Sequence, residues 1–447
     1  MKIKEFLLII FLLSGVISSC KKSDDKDNTV TNDPRIRTMT ESKLSTAFVI
    51  NDVEGLIYNY DSLSYKTDVT ELQPVFTGYG GTLSFQYKKG KNGNWETYSS
   101  NDTLNFSSPI PIILKSIAPD SNYTKEYEID IRVHKYDVEA FTWKKKGTLL
   151  VQGTVLSQKA VFYNQKYYFF YRNESRKSYV ITSENGNEWK EAGKIDIDDL
   201  DWTTLTSMFQ PDNLAVQATG SLYVCNLAAK GSISFTPSDA TLPENCTLQA
   251  PLFTLGDHFW IIAKQDQTYY LCSLAKGTKE YQKVTSLDSN VPVEKITTFV
   301  SPSGSTTLGY IFGGKNETNG NGTVWGVDIN GNMMQLTSNQ PVFPSRIHPM
   351  PLFFGNKLYI VGGITSKNNI YTNQFYVSSN SGARWSEDTH KILPENQIGS
   401  MAKGSIFQHE RNKIMLIGGE NEKGFSSNVW EGILNQEILD NIIHNRN

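Results

Sequence analysis

Three times the chain writes an apolar strand that ends in Gly-Gly: "LGYIFGGK" at 308–315, "GNKLYIVGG" at 355–363 and "RNKIMLIGGE" at 411–420. Taking the first Gly as reference puts Gly313, Gly362 and Gly418 in register, and three weaker copies extend the series upstream. "QKYYFFY" brings Tyr171 to that position, "GSLYVCN" brings Asn226, and "DHFWIIA" brings Ala263, so successive intervals are 55, 37, 50, 49 and 56 residues. A strand-built unit recurring near every 50 residues cannot bury its own apolar face and must stack on its neighbours. Gly-Gly fits such stacking, because a residue without Cβ lets a neighbouring segment pass close and tolerates positive φ. The repeated glycines are therefore read as scaffold.

That period is the signature of a kelch-type β-propeller, and six copies predict six blades over residues 137–435. The best copy divides into "MPLFF" (350–354) as innermost strand, "KLYIVG" (357–362), "NQFYVS" (373–378) and "ARWSED" (383–388) as outermost strand. The last copy stops after its third strand, "SNVWEGILN" (427–435). The missing strand is expected from "EAFTWKKKG" (139–147), which would pair with 427–433 and close the ring, leaving no open edge. Residues 436–447 read as a short amphipathic tail. Upstream, 38–136 holds several alternating runs. In one of them Tyr127, Ile129, Ile131 and Val133 alternate with polar residues. About seven short strands in such a segment suit an immunoglobulin-like sandwich acting as a spacer, without the inter-sheet disulfide because the segment has no Cys. With 22 Tyr and 22 Phe in 447 residues, strands are favoured over helices throughout, and the fold class is all-β.

The N-terminus joins a basic start, "MKIKEF", to an apolar stretch too short to span a bilayer and a small-residue run ending at Cys20. Ile17-Ser18-Ser19-Cys20 resembles a bacterial lipobox, which implies cleavage before Cys20 and acylation of its thiol. Residues 21–37 are polar and aperiodic, a tether. Ser23-Asp24-Asp25 resembles the export signal of Bacteroides-type surface lipoproteins, which implies a lipid-anchored protein on the outer membrane, facing outward. Together the lipobox, the domain order and the Gly-Gly repeats resemble an uncharacterised group of such lipoproteins. These join an Ig-like module to a propeller like the central domain of galactose oxidase. No activity comes with the resemblance.

Net charge is −3, with 43 basic and 46 acidic residues interspersed, so a nucleic-acid partner is not expected. Cys225, Cys246 and Cys272 admit at most one disulfide. The six His (134, 258, 348, 390, 409 and 444) are scattered, without metal-ligand spacing or the Tyr-Cys arrangement of a copper oxidase. The five Arg of the propeller (172, 176, 346, 384 and 411) do not suggest a sialidase triad, since Arg384 lies in a turn resembling the Asp-box. That turn spans Ser378–Trp385 with Asn380 for Asp, and Thr182-x-Glu184-x-Gly186-x-x-Trp189 repeats its outline. In the families concerned it is structural and lies away from the active site. No serine-hydrolase elbow, P-loop or dinucleotide fingerprint is present.

Ligand binding is then expected on the face bearing the blade-to-blade loops. The longest, 195–210, combines Asp196, Asp198, Asp199 and Asp201 with Trp202. Trp202 with Asp201 would suit a glycan, and the acidic run would suit Ca²⁺, the single cofactor considered. The preferred reading of Trp202 itself is a ring tucked between blades. Other loops expected there are 172–177, 315–322, 365–371 and 421–427. Arg346 and His348 precede an innermost strand and are candidates for the channel mouth, with Tyr371 beside them. The expected function is non-catalytic binding of an extracellular glycan or protein by a monomer. The alternative is a carbohydrate-active enzyme working from the channel mouth.

Overall fold

A computed structural model describes residues 32–79, 82–229, 231–301, 307–315, 322–337 and 343–435. Cys20 with its leader, most of the tether, the loop at 316–321 and the 436–447 tail lie outside the described residues. The chain divides into two compact units at Tyr136/Asp137.

In the first unit six strands form one sheet, in the order Phe48–Asn51, Leu56–Asn59, Thr124–Asp130, Ile112–Ile117, Ser84–Lys89 and Glu96–Tyr98. Leu56–Asn59 and Thr124–Asp130 run parallel. A second, two-stranded sheet pairs Ile36–Thr40 with Val75–Gly78. Ile36, Met39 and Phe76 from the small sheet share one core cluster with Ile57, Leu114, Tyr127 and Ile129 from the large one. The alternation expected over 127–133 is cut short at Asp130, because the buried Asn59 side chain takes over the pairing. Its Nδ2 donates to the Arg132 carbonyl at 2.9 Å and its Oδ1 accepts from the Arg132 amide at 2.6 Å. A side chain bonded to backbone in this way competes with the ladder.

The second unit contains, among the described residues, six four-stranded antiparallel sheets. Their first strands are Val155–Tyr163, Asp201–Met208, Thr247–Leu255, Thr297–Val300, Met350–Phe354 and Ser405–Glu410. Each first strand touches the next, and the sixth returns to the first, so the six close into a ring. Every sheet-to-sheet junction holds its own apolar cluster. Phe170 and Val180 meet Leu214 and Val216 between the first and second sheets, and Tyr310 and Phe312 meet Leu358 and Ile360 between the fourth and fifth. The sixth sheet takes its outermost strand from upstream. Phe141–Thr148 pairs antiparallel with Asn428–Leu434, and Trp143 and Trp430 are buried there.

The Gly-Gly steps act where the repeat argument places them. A Cβ on Gly362 (φ +60°) would stand 2.2 Å from the Met401 carbonyl oxygen, and the Gly363 amide donates to that same oxygen at 2.8 Å. Gly314 donates likewise to the Arg346 carbonyl at 2.9 Å and Gly419 to Gln158 Oε1 at 3.1 Å. The second glycine is thus a hydrogen-bond latch onto the next sheet, made possible by the missing side chain.

In the fifth sheet the outermost strand is Ser386–Ile392, three residues later than expected, because 379–385 is consumed by the turn. There Asn380 Oδ1 accepts from the Arg384 amide at 2.8 Å, and Trp385 Nε1 donates to the Gly382 carbonyl at 2.8 Å. The first sheet repeats the device with Asn185, not Glu184, as acceptor, and Trp189 Nε1 donates to the Gly186 carbonyl at 3.1 Å. Asn is preferred because its short amide can bond backbone two to four residues on.

Candidate functional site

The segments that enter the first strands repeat more faithfully than any side-chain pattern. In all six, the residue two positions before the strand is left-handed: Gly153 (φ +72°), Asp199 (+61°), Asn245 (+57°), Lys295 (+52°), His348 (+51°) and Lys403 (+58°). The intervals are 46, 46, 50, 53 and 55 residues. Gly, Asn and Asp visit this conformation readily; Lys and His do so at a cost of about 1 kcal/mol each. Three of these residues are tied in series. The His348 amide donates to the Lys295 carbonyl and the Lys403 amide to the His348 carbonyl, both at 3.3 Å. Lys295, His348 and Lys403 therefore form one continuous arc.

The arc borders a cavity of about 580 Å³ at the end of the ring where the first strands begin. Four sheets contribute to its wall, from Ser157 and Lys159 in the first through Asp201, Gln249 and Thr297, and the entry segments of the fifth and sixth add His348 and Lys403. On one side stand Lys295, His348, Lys403 and Lys159. Burial, with Lys403, Lys295 and Lys159 nearby, pushes the His348 imidazole down to about 3, so it is neutral at physiological pH. Burial also lowers the Lys159 ammonium. Lys403 Nζ is balanced by Glu420 at 2.7 Å, which also accepts the Tyr371 hydroxyl at 2.5 Å. On the other side are Asp201, Thr203, Thr204, Thr206 and Thr298 with Gln217 and Gln249. Asp201 Oδ1 accepts from Thr203, while Thr206 and Thr298 both donate to the Leu252 carbonyl, at 3.1 and 3.0 Å.

Of the residues singled out in the sequence, His348 and Asp201 line the cavity, and Tyr371 stands two contacts behind it, bonded to Glu420, which pairs with the lining Lys403. Trp202 does not belong to the site. It is fully buried in the first strand of the second sheet, stacked on Phe170 at 4.9 Å and edge-on to Phe235, so no sugar can reach its face. The supposed long loop at 195–210 is mostly the strand Asp201–Met208. Arg346 is also buried, away from the channel mouth. Its Nη1 donates to the Gly362 carbonyl at 2.7 Å, its Nε to the Pro344 carbonyl at 3.1 Å, and its plane lies over Tyr376. It binds the fifth sheet's entry segment to the Gly-Gly latch.

The acidic run is engaged in ion pairs: Asp196 with Lys194, Asp198 with Lys177, and Asp199 with Arg172 and Arg176. Among the described residues no three His, Cys, Asp or Glu side chains converge as metal ligands. Cys225, Cys246 and Cys272 are free thiols, and burial pushes Cys225 to about 11 and Cys272 to about 12. Lys159, Lys295 and Lys403 escaped the sequence reading, because they carry no local motif. For Lys295 and Lys403 the signal is positional, a charged residue where the sixfold repeat needs a left-handed one; Lys159, inside the strand Val155–Tyr163, carries none.

Comparison with known proteins places the second unit in a family. Residues 137–442 match the model described as "DUF6242 beta propeller domain", and residues 18–131 match the "Domain of unknown function (DUF6242) N-terminal domain". The chain belongs to this family, and its C-terminal domain is a β-propeller. No curated protein matches it in sequence. A solved structure titled "Structure of YjhT" is similar at 12% identity, over 63% of this chain and 95% of that one, with a TM-score of 0.46.

Proposed function

We propose that this DUF6242 protein is an outward-facing, lipid-anchored protein of the outer membrane, in which an Ig-like spacer presents a six-bladed kelch-like propeller that binds an extracellular glycan without catalysis. The observation that carries the binding role is the cavity of about 580 Å³ at the end of the ring, walled by four sheets and the entry segments of the other two. A concave site of that size with convergent polar groups is where a fold of this kind takes a small ligand or the end of a chain. The wall rich in hydroxyl and amide groups favours sugar as ligand. The lipid anchor rests on Ile17-Ser18-Ser19-Cys20 and the surface address on Ser23-Asp24-Asp25.

Affinity electrophoresis of the full-length protein through a panel of polysaccharides tests the reading, with reducing-sugar release followed in the same samples. Retardation without release supports it; release of sugar overturns the non-catalytic role; absence of both overturns the glycan. For the anchor, metabolic labelling with a fatty-acid analogue is expected to mark the protein and to be abolished by Cys20→Ser.

A further inference from the structure

We propose that the glycan is an acidic one, held by its carboxylate or sulfate group against the arc formed by Lys295, His348, Lys403 and Lys159. This rests on the glycan-binding reading above and names the class of sugar. The cavity has two chemically different walls. Toward the Lys295–His348–Lys403 arc it presents N–H donors, three of them ammonium groups. Toward the second and third sheets it presents acceptors: the Asp201 carboxylate, threonine oxygens whose own protons are committed to protein carbonyls or Asp201, and the amides of Gln217 and Gln249. A neutral sugar bonds to both walls, its hydroxyls donating to one and accepting from the other. A sugar that carries an anion adds the stronger, charge-assisted bonds from the ammonium groups.

The charges around the cavity leave the arc in need of an anion. Arg172 is paired with Asp199, Glu294 with Lys315, and Lys403 with Glu420. Among the described residues Lys159 and Lys295 form no ion pair. Lys159 is half-buried, and an unpaired ammonium held there disfavours folding unless a bound anion offsets it, whereas Lys295 is exposed to solvent. Lys295 and Lys403 also occupy left-handed positions that in the first and third sheets carry Gly153 and Asn245. Backbone strain kept at a cavity wall is the pattern of a functional position.

The experiment titrates the full-length protein calorimetrically with an oligouronate, with its methyl-esterified neutral counterpart, with a sulfated oligosaccharide and with polyglutamate. The variants are Lys159→Met, Lys295→Gly and Thr204→Val. Lys295→Gly relieves strain, so its thermal midpoint is expected to hold or rise. Supporting results are binding of the oligouronate or the sulfated sugar at least about tenfold tighter than of the ester, and a loss of about tenfold in Lys159→Met and Lys295→Gly. The stronger of the two acidic arms identifies carboxylate or sulfate. Equal affinity for acid and ester, sensitive to Thr204→Val and insensitive to the lysine variants, would overturn the acidic class while leaving the glycan reading intact. Binding of polyglutamate alone would overturn both, as would silence in every arm.

Discussion

The first strands of the first three sheets run nine, eight and nine residues; those of the last three run four, five and six. The two halves hold the ring together differently. In the last three sheets the Gly-Gly latch carries the junction, with amides of Gly314, Gly363 and Gly419 donating to the next sheet. The first sheet has Tyr171 and Arg172 in the Gly-Gly position. There the guanidinium reaches across to Asp199 at 2.9 Å, and aromatic stacking of Phe170 on Trp202 fills the junction. One backbone plan is thus closed by glycine amides in the last three sheets, reaching main-chain carbonyls from Gly314 and Gly363 and the Gln158 side chain from Gly419, and by side chains at the first junction. The consequence falls on the cavity. At the first junction, made by side chains, the left-handed Asp199 is committed to Arg172 and Arg176; at the junctions latched by Gly314 and Gly363 the left-handed entry residues are His348 and Lys403, both lining the cavity.

Breaking the latch should have the largest effect. Gly362→Val sets a branched side chain against the Met401 carbonyl at positive φ and is expected to cost more than about 3 kcal/mol by urea unfolding. Gly220→Ala, at φ +78° with open space around it, should cost about 1 kcal/mol. Similar losses for the two would refute the latch. Trp143→Ala, in the strand that closes the ring, is expected to lose about 3–5 kcal/mol through its buried cluster.

The arc should show itself in pH dependence. The folded His348 lies below its unfolded value of 6.5, so the native state refuses a proton that the unfolded chain accepts. Stability is then complete above pH 6.5 and falls as pH drops from 6.5 toward 3, by up to about 2 kcal/mol at pH 5. His348→Gln should flatten that part of the profile, and an unchanged slope would assign the loss to other groups. Smallest of all, Lys295→Gly should stabilise by about 0–1 kcal/mol, whereas Asn245→Gly at the equivalent position should change nothing beyond about 0.5 kcal/mol. A clear loss in Lys295→Gly would mean that the lysine is a structural element.

Much of the architecture was readable because propeller sheets are made by local, repeated chemistry. Apolar runs such as 357–361 mark strands whose both faces are covered, and Gly-Gly marks a close passage between sheets. The pairing of 141–148 with 428–434 followed from a count of strands against edges. The site was readable only in part. His348 and Asp201 drew attention through residue type and reached the cavity, yet Arg346, two residues from His348, turned inward to bind Gly362. Trp202 illustrates the same limit: an exposed platform and a buried wedge have the same letter, and burial alone separates them.

What the sequence by itself determined is the period, the strand character and the glycine steps, since each depends on neighbours within a few residues. The ring decided the rest. Lys159, Lys295, His348 and Lys403 are spread over 245 residues and share no motif. Lys295, His348 and Lys403 converge because copies of one left-handed entry turn bring them to the same end of the ring, and Lys159 joins them from within the strand Val155–Tyr163. Which side chains arrive there unpaired depends on salt bridges and latches formed only when the sheets have closed.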